Sequence, residues 1–328
     1  MKEPLISVLI PVYNAESFIS KCLDSVLCQT YTNIEVICLN DGSKDNSLAI
    51  LTEYQEKDNR IKIISRENRG EDSTRKELID NVSGDFFVFV DIDDWIEKDL
   101  VETAFNVMRK ENVDLVEYNT NTIMLGNRKT DFSVKKFGKF TSKDYINHYR
   151  AIVWNKLYRI DIIRKYKVNF LNRNDILCGF DKWFNFEYIS VCKNVCVIPN
   201  RLYNYVIHNM SALSNMSDEK CLSDFVAMNE CYSFLNKNDL LKKYYKPFFH
   251  LVCKLSSKLN KGDGYYLKAK QQIEILSKNL RKDYPMYFIY YLVKKYLSLK
   301  NIFGMQGSKC GKYRIITLLG IKFRIKKC

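Results

Sequence analysis

The chain has 328 residues, of which 46% are hydrophobic and 27% are charged, values typical of a globular protein with one large domain and an appended piece, or with two domains. It contains no run of about 18 apolar residues, so no membrane-spanning helix is expected. Its 11 cysteines show neither the spacing of a zinc site nor a disulfide framework, which predicts reduced thiols in the cytosol.

Charge is distributed unevenly along the chain. Residues 1–110 hold 13 Lys or Arg and 21 Asp or Glu, a net charge of −8, whereas the remaining residues carry +22. This asymmetry predicts an acidic front half that binds cations and a basic back half that faces an anionic partner. Nucleic acid and an anionic membrane surface both fit that description of the partner.

The first third of the chain alternates strands with helices. Four short apolar runs are predicted as buried strands: Leu5–Val12, Ile34–Leu39, Ile61–Ser65 and Asp85–Val90. The first run has no small-residue cleavage site after it, so we interpret it as a strand and not as a signal peptide. Asn14 is predicted to cap the first helix, Ser43 or Asp45 the helix that ends near Lys57, and residues 72–82 form a third helix. This alternation favours a mostly parallel sheet flanked by helices, with ligands beyond the carboxyl ends of the strands.

Three carboxylates follow the fourth strand directly, in the segment Asp91-Ile92-Asp93-Asp94. Carboxylates so close together repel one another unless a cation joins them. Hard oxygen ligands at the mouth of a sheet suit Mg²⁺ or Mn²⁺, with phosphate oxygens completing the coordination. The alternative is an acidic loop that caps the helix near Leu100.

Five segments resemble, in order and at natural spacing, the motifs of family 2 glycosyltransferases. They are the opening motif Ile6–Asn14, the first helix Cys22–Thr30, the second motif Glu35–Ser47, the DxD metal motif Phe89–Trp95, and the block Trp154–Tyr158 just after the donor site. The resemblance covers about residues 5–208. It implies the nucleotide-diphospho-sugar transferase fold called GT-A, in which a mostly parallel central sheet is flanked by helices.

The resemblance also implies a donor site. The residues expected to bind the donor are Pro11, Val12, Tyr13, Asp41, Arg75, Asp91, Ile92 and His208. The first four would hold the base and ribose, and Arg75 and His208 would contact the diphosphate. Asp93 is the expected ligand of an Mn²⁺ or Mg²⁺ ion that bridges the diphosphate and offsets the charge of the leaving group. As a lone residue Asp41 is also a common turn residue, and His208 fits a surface or core histidine equally well.

Departures from the family pattern leave the donor sugar open. Lys76 and Leu78 stand where the family has Asn and Gly in a loop that lines the donor pocket. Ile92 replaces the common Ser in the middle of the DxD motif, which removes one hydroxyl contact but no metal ligand.

The acceptor side offers one main candidate for a general base. The family mostly inverts at the sugar carbon, which needs a base opposite the leaving group. Its Glu-Asp pair after the Trp-Asn-Lys block reads Phe180-Asp181 here, so Asp181 is the expected base. Lys182 beside it would keep that carboxylate ionised. The alternative is an exposed Asp that caps the following helix, and Asp175 is the reserve candidate.

The predicted domains are a GT-A domain over residues 1–212, a helical extension over 213–304 and a basic tail over 305–328. The GT-A domain divides into a nucleotide-sugar half, 1–110, and an acceptor half, 111–212. The last 20 residues carry seven Lys or Arg and no acidic residue, and apolar and basic residues alternate there. This pattern predicts a strand or a hairpin about Gly320 that tethers the enzyme to an anionic membrane surface. A solvated tail or an edge strand is the alternative.

These observations predict an inverting glycosyltransferase that moves a sugar from a nucleotide diphosphate donor to a glycan or lipid-linked acceptor. UDP is favoured because it is the commonest nucleotide in the family. The expected setting is bacterial surface polysaccharide or lipo-oligosaccharide synthesis, in the cytoplasm and at the inner face of the cell membrane. One alternative is a non-catalytic nucleotide-sugar or glycan-binding module on the same fold. A nucleic-acid-binding protein is another, but the chain lacks recognition motifs, so no nucleic-acid partner is expected.

Overall fold

The protein is described here from a computed structural model. It describes residues 3–124, 133–170, 180–207, 218–256, 266–283, 285, 305–307, 313–318 and 321–326. The chain divides into two compact units, Met1–Tyr244 and Tyr245–Cys328. The helix Asp218–Lys237 lies in the first unit. The predicted boundaries after residues 212 and 304 stay predictions.

Four parallel strands form the first half of the central sheet. They are β1 (Ile6–Val12), β2 (Ile34–Asp41), β3 (Ile61–Arg66) and β4 (Phe86–Phe89). The helices between them are α1 (Ile19–Leu27), α2 (Ser47–Lys57) and α3 (Glu71–Asp80). β1 pairs with β2 on one side and with β4 on the other, and β3 pairs with β2. Every residue of β2 is buried, as expected for a strand inside a parallel sheet that helices cover.

The chain changes direction across the sheet between β1 and β4. From β1 it proceeds to β2 and β3 on one side, and it then returns to β4 on the other side of β1. Such a switch point leaves a crevice at the carboxyl ends of the strands, where open α/β sheets bind ligands. Tyr13 follows β1 and Asp91 comes shortly after β4, so both predicted donor segments begin at this crevice.

The second half of the sheet is mixed. Its strands are β5 (Trp95–Ile96), β6 (Leu115–Met124), β7 (Gly138–Thr141), β8 (Lys156–Arg159) and β9 (Asn194–Ile207). Its helices are α4 (Leu100–Glu111), α5 (Ser142–Tyr145), α6 (Ile160–Tyr166) and α7 (Phe180–Val191). β8 joins the two halves by pairing antiparallel with both β4 and β6, and β9 runs parallel to β6. The predicted α/β class, with a largely parallel sheet flanked by helices, is confirmed.

Two helix starts differ from the sequence prediction. Asn14 does not cap a helix, because it has a φ of +48° and its side-chain oxygen accepts a 2.8 Å hydrogen bond from the backbone N–H of Lys44. It joins the loops after β1 and β2 instead, and α1 begins at Ile19. Asp45 lies just outside α2, but its carboxylate accepts a 3.0 Å hydrogen bond from the backbone N–H of Ser47, the first residue of that helix.

The rest of the described chain contains three helices and three strands. These are α8 (Asp218–Lys237), α9 (Leu241–Ser256), α10 (Tyr266–Asp283), β10 (Met305–Gly307), β11 (Tyr313–Leu318) and β12 (Ile321–Lys326). β11 and β12 pair antiparallel with Leu318 opposite Ile321, which confirms the hairpin predicted about Gly320. None of the described helices has both the length and the apolar composition needed to cross a membrane.

The chain approaches itself closely at Gly84, just before β4. A Cβ atom at this position would lie 2.6 Å from the backbone oxygen of Leu5 and 2.7 Å from Oγ of Ser7. The backbone N–H of Gly84 also donates to Ser7 Oγ at 3.1 Å, and that hydroxyl donates to the buried Glu35. Only glycine therefore fits between β1 and the start of β4.

Gly84→Ala is expected to lower the free energy of unfolding by about 2 kcal/mol, because the added methyl group forces packed backbone apart. Urea unfolding followed by circular dichroism measures this change. Ser83→Ala, at the exposed neighbouring position, is the matched control and should change stability by less than about 0.5 kcal/mol. Equal stability of Gly84→Ala and the parent chain would contradict the close approach.

Candidate active site

The loop after β1 presents an exposed aromatic ring at the crevice. The backbone N–H of Asn14 donates to Ser43 Oγ at 3.0 Å, which ties this loop to the loop after β2. Val12 is buried and Pro11 is half-buried at the end of β1, whereas Tyr13 is 52% exposed. An exposed ring on a fixed loop can stack on a nucleotide base. The structure thus brings these three predicted residues together, and their contact with a donor stays a prediction.

Asp41 is buried, and both of its carboxylate oxygens bind the chain. Oδ1 accepts hydrogen bonds from Arg66 and, at 2.8 Å, from the backbone N–H of Arg69. Oδ2 accepts a 2.9 Å hydrogen bond from the backbone N–H of Gly70, which has a φ of +87° at the N-cap of α3. Asp41 therefore positions the start of α3, and its predicted contact with base or ribose stays a prediction.

The segment from Asp91 to Asp94 makes a tight turn, in which the backbone N–H of Asp94 donates to the Asp91 carbonyl at 3.0 Å. Asp94 is buried, and its carboxylate accepts hydrogen bonds from the Tyr203 hydroxyl at 2.8 Å and from a backbone N–H of β9 at 2.7 Å. Ile92 is also buried, whereas Asp91 and Asp93 are partly exposed. Asp94 therefore has a structural role, and Asp91 and Asp93 are the carboxylates of this turn that a ligand can reach.

Tyr203 supports this turn from the strand β9. Its hydroxyl donates to Asp94 and accepts a 3.0 Å hydrogen bond from the backbone N–H of Asp91. Its ring stacks on Trp154 at a centroid distance of 4.4 Å, and Tyr205 stacks on the same Trp at 5.1 Å. The Trp of the Trp-Asn-Lys block therefore supports the DxD motif through an aromatic stack. The sequence gives no signal for the role of Tyr203, because its partners are far away along the chain.

Arg75 of α3 brings a positive charge into the centre of the site. Its side chain is 3% exposed. Nη2 donates to Glu71 at 2.7 Å and to Asp91 at 3.0 Å, and Nε lies 3.9 Å from Oδ1 of Asp181. One guanidinium thus connects α3, the segment after β4 and the start of α7. Burial raises the pKa of Asp91 to about 6; Arg75 lowers it, and Asp93 and Glu71 raise it.

Asp181 lies in the first turn of α7 and faces Arg75. Burial raises its pKa to about 7; Arg75 opposes this shift, and Glu71 and Asp91 add to it. A carboxyl group with a pKa near neutrality is suited to accept a proton at physiological pH. The structure brings Asp181 together with two of the expected donor residues, Arg75 and Asp91, and its role as the base stays a prediction.

The expectation that Lys182 keeps Asp181 ionised is wrong. Nζ of Lys182 donates to Asp224 of α8 at 2.7 Å. Successive residues of a helix point about 100° apart, so the neighbour of Asp181 in sequence faces another partner. The cations that act on Asp181 are Arg75 and, with a smaller effect, Lys156.

Lys156 belongs to a buried polar network that the sequence did not predict. Its Nζ donates to Asn155 Oδ1 and to the carbonyl of Ile152, both at 2.7 Å, and lies 3.6 Å from Glu117. Asn155 and Tyr145 donate to the same Glu117 carboxylate. The Asn and Lys of the Trp-Asn-Lys block thus stabilise the interior beside α7, which explains a motif that was recognised only by resemblance.

Comparisons with known proteins agree with this geometry. The family model "Glycosyl transferase family 2" matches residues 7–167. EpsH of Bacillus subtilis, a protein named as a glycosyltransferase, is 34% identical over 254 residues, which are 75% of this chain and 73% of EpsH. The chain belongs to glycosyltransferase family 2. The glycosyltransferase GlyA of Streptococcus pneumoniae is 33% identical over 245 residues, but the match spans only 34% of GlyA.

Solved structures confirm the GT-A fold of this family 2 enzyme. S. aureus TarS 1–349 in complex with UDP-GlcNAc matches 98% of this chain and 99% of that one, with a TM-score of 0.72 and 17% identity. A mannosyltransferase from Pyrobaculum calidifontis in complex with GDP-Man and Mn²⁺ matches 90% of this chain and 87% of that one, with a TM-score of 0.52 and 14% identity. Identities this low show a common fold and do not transfer a substrate.

A divalent metal is the cofactor expected for this enzyme, and the turn after β4 fits one. Among the described residues, no group of three or more His, Cys, Asp or Glu is arranged to hold a metal by itself. Mg²⁺ commonly binds through one or two carboxylates and completes its coordination with water and substrate phosphates. Asp91 and Asp93 are partly exposed in this turn and lie close enough together to repel each other, which a bound cation relieves. The donor set therefore fits a metal that Asp93 and a diphosphate hold together.

Two candidates, His208 and Asp175, lie outside the described residues. The predicted contact of His208 with the diphosphate and the reserve role of Asp175 as base stay predictions.

Tyr203→Phe is expected to lower the free energy of unfolding by about 1–3 kcal/mol, because the buried Asp94 carboxylate loses a hydrogen-bond donor. It should also weaken metal-dependent nucleotide binding, since the turn that carries Asp93 loses its support. Denaturant unfolding and nucleotide titration measure the two effects. Tyr54→Phe removes an exposed hydroxyl bonded to Asp24 and is the control, with an expected change below about 0.5 kcal/mol. If both variants behave alike, Tyr203 does not support the turn.

Proposed function

We propose that this enzyme is an inverting glycosyltransferase that moves a sugar from a nucleotide diphosphate donor to a glycan or lipid-linked acceptor in bacterial surface polysaccharide or lipo-oligosaccharide synthesis. The observation that carries the proposal is the position of Arg75, which binds Asp91 at 3.0 Å and lies 3.9 Å from Asp181. A carboxylate at the donor end and a carboxyl group able to accept a proton therefore belong to one site. Inverting transfer needs both groups in a single site.

The nucleotide would lie along the carboxyl ends of β1 and β2. Tyr13 offers an exposed ring for the base, with Pro11 and Val12 at the end of the strand beside it. Asp41 would act from the end of β2, where it already fixes the start of α3. The complexes of TarS with UDP-GlcNAc and of the mannosyltransferase with GDP-Man, which have the same fold, support a sugar nucleotide as the donor. UDP is the favoured nucleotide because it is the commonest one in the family.

Asp93 would bind Mn²⁺ or Mg²⁺ jointly with the diphosphate. When bound, such an ion acts as a Lewis acid that stabilises negative charge on the departing nucleoside diphosphate. Asp91 and Ile92 would form the donor side of the same turn. Contacts of Arg75 and His208 with the diphosphate complete the proposed donor site.

Asp181 would act as the general base. Its ionised carboxylate takes the proton of the acceptor hydroxyl while the acceptor oxygen attacks the anomeric carbon opposite the leaving group. The electron pair of the broken carbon–oxygen bond leaves with the nucleoside diphosphate. With a pKa of about 7, this carboxylate is ionised in a large fraction of molecules at neutral pH and remains basic enough to accept the proton.

The C-terminal hairpin would bring the enzyme to a membrane-bound acceptor. Paired residues of an antiparallel ladder lie on the same face of the sheet. By register, the positions of one face of the ladder are Arg314, Ile316, Leu318, Ile321, Phe323 and Ile325. The positions of the other face are Lys322, Arg324 and Lys326, paired with Thr317, Ile315 and Tyr313, so that face has three of the four cationic positions of β11 and β12. Each cation near an anionic leaflet contributes roughly 1 kcal/mol, so this face suits the inner surface of the cell membrane.

Asp93→Asn is expected to lower the rate of nucleoside diphosphate release from the preferred donor by about 100-fold or more, because the metal loses its protein ligand. The assay compares UDP-glucose, UDP-galactose, UDP-GlcNAc and GDP-mannose with Mn²⁺, Mg²⁺ or EDTA. Asp85 is exposed and directly precedes β4, whereas Asp93 follows that strand. Asp85→Asn is the control and should keep the parent rate. Turnover that persists in EDTA would contradict the requirement for a divalent metal. Nucleotide binding without any turnover would favour the non-catalytic binding module.

The pH dependence of donor hydrolysis tests Asp181. Because the ionised form is the base, kcat/KM should rise about tenfold per pH unit below pH 7 and level off above it. Asp181→Asn should lower kcat/KM by about 100-fold or more and remove this rise.

The stability of Asp181→Asn provides the control for folding. The folded pKa of about 7 lies above the ordinary value of about 3.9, so ionisation costs folded stability progressively as the pH rises from 4 to 7. At pH 8 the Asn variant should therefore melt at the same temperature as the parent chain or at a higher temperature. A variant that melts lower at pH 8, or a pH profile that keeps its rise, contradicts this role.

Replacement of Lys322, Arg324 and Lys326 by Gln should abolish binding to phosphatidylglycerol vesicles in a sedimentation assay, because the cationic face is lost. The parent chain should bind these vesicles less as salt increases, and should bind phosphatidylcholine vesicles weakly. The control replaces Lys237, Lys242 and Lys278, exposed lysines of the helices, and removes the same charge. Equal losses in the two triple variants would assign binding to net charge and not to the hairpin.

A further inference from the structure

Two buried polar atoms of α3 have no hydrogen-bond partner within the described part of the chain. They are Oδ2 of Asp72 and Nη1 of Arg75. The two residues are 5% and 3% exposed. They are three positions apart, so they lie on the same side of the helix. Buried polar atoms without partners are costly and rare, and in a functional site they indicate where a ligand completes the bonding.

The start of α3 is held firmly enough to present these atoms. Asp41 accepts hydrogen bonds from the backbone N–H groups of Arg69 and Gly70, directly before the first turn. Arg75 is fixed in the second turn by Glu71 and Asp91. Both unpartnered atoms therefore belong to a part of the chain that hydrogen bonds hold in place.

Asp72 lies beside the proposed reaction centre. Burial raises the pKa of Asp72 well above its ordinary value, the nearby Glu71 and Asp181 raise it further, and Arg75 lowers it. Asp72 lies three residues before Arg75 on the same side of α3, and Nε of Arg75 is 3.9 Å from the proposed base, so the position in the helix places Asp72 near that base. The donor sugar must occupy the space between the diphosphate and the base, which is the space that α3 borders through Arg75.

A sugar hydroxyl is the donor group that suits Asp72. A hydroxyl both donates and accepts hydrogen bonds, so it can bind this carboxyl group in the protonated or the ionised form. Diphosphate oxygens only accept hydrogen bonds, so they could pair with this carboxyl group only in its protonated form, whereas a sugar hydroxyl pairs with either form. An acidic sugar is excluded, because Glu71, Asp91 and Asp181 already surround the single guanidinium of Arg75.

Starting from the proposed function, we infer that Asp72 binds a hydroxyl of the donor sugar and that Nη1 of Arg75 donates to the same sugar nucleotide. The carboxylates of Glu71, Asp91 and Asp181 around Arg75 then restrict the donor to neutral sugars. Hexuronates are excluded by their carboxylate. Asp72 is accordingly a specificity-determining residue of the donor site.

The test is a binding titration of the full chain with Mn²⁺, in which each donor is compared with its own free nucleoside diphosphate. The ligands are UDP, UDP-glucose, UDP-galactose, UDP-GlcNAc, UDP-glucuronate, GDP and GDP-mannose. The variants are Asp72→Leu, which removes the hydrogen-bonding group, and Asp72→Asn, which keeps one. Asp80→Asn on the exposed end of the same helix is the control, and thermal melting checks that each variant is folded.

The parent chain should bind one neutral donor at least tenfold more tightly than UDP-glucuronate. Asp72→Leu should bind that neutral donor at least tenfold more weakly while its affinity for the free nucleoside diphosphate stays within twofold. Asp72→Asn should recover part of the loss, and Asp80→Asn should match the parent.

Two results overturn the inference while the proposed function stands. One is tight binding of UDP-glucuronate by the parent chain, and the other is an equal loss of donor and free nucleotide in Asp72→Leu. If Asp72→Leu does not fold, Asp72→Asn takes its place. The inference is then overturned when Asp72→Asn keeps the donor preference of the parent chain and the parent chain binds UDP-glucuronate tightly. Absence of nucleotide binding by the parent chain overturns the proposed function, and the inference with it.

Discussion

The buried guanidinium of Arg75 is the interaction on which the rest of the site depends. It lies within 4 Å of the carboxylates of Glu71 on α3 itself, Asp91 in the turn after β4 and Asp181 on α7. Without this cation the three neighbouring carboxylates would repel one another, which would favour the protonated form of Asp91 and Asp181. One side chain therefore keeps Asp91, the proposed donor residue, close to Asp181, the proposed base.

The sequence predicted the features that local patterns determine. The apolar runs of β1 to β4 were located to within two residues at either end, because a buried parallel strand needs only a short hydrophobic segment between turns. Alternation of apolar and basic residues likewise predicted the hairpin of β11 and β12. Resemblance added Asp93 and Asp181, because these residues keep the type and order of the family motifs, and the structure shows Asp181 beside Arg75.

The remaining features depend on contacts between residues distant in sequence. Tyr203 and Asp94 are 109 residues apart, and nothing local in β9 indicates that its hydroxyl supports the turn after β4. Asn14 is a common capping residue, but its partner Lys44 belongs to another loop. Lys182 follows Asp181 directly, and only the packing of α7 on α8 shows that it binds Asp224 instead. The buried, unpartnered oxygen of Asp72 is likewise visible only in three dimensions.

A crystal structure of the enzyme with UDP and Mg²⁺ would test the central claim, that a nucleotide diphosphate and a metal meet at the carboxyl ends of β1 and β4. In that complex Asp93 should hold the metal, at about 2.1 Å from a carboxylate oxygen. The uracil ring should lie against Tyr13. A nucleotide bound away from this crevice, or a metal held there without Asp93, would rule out the proposed donor site.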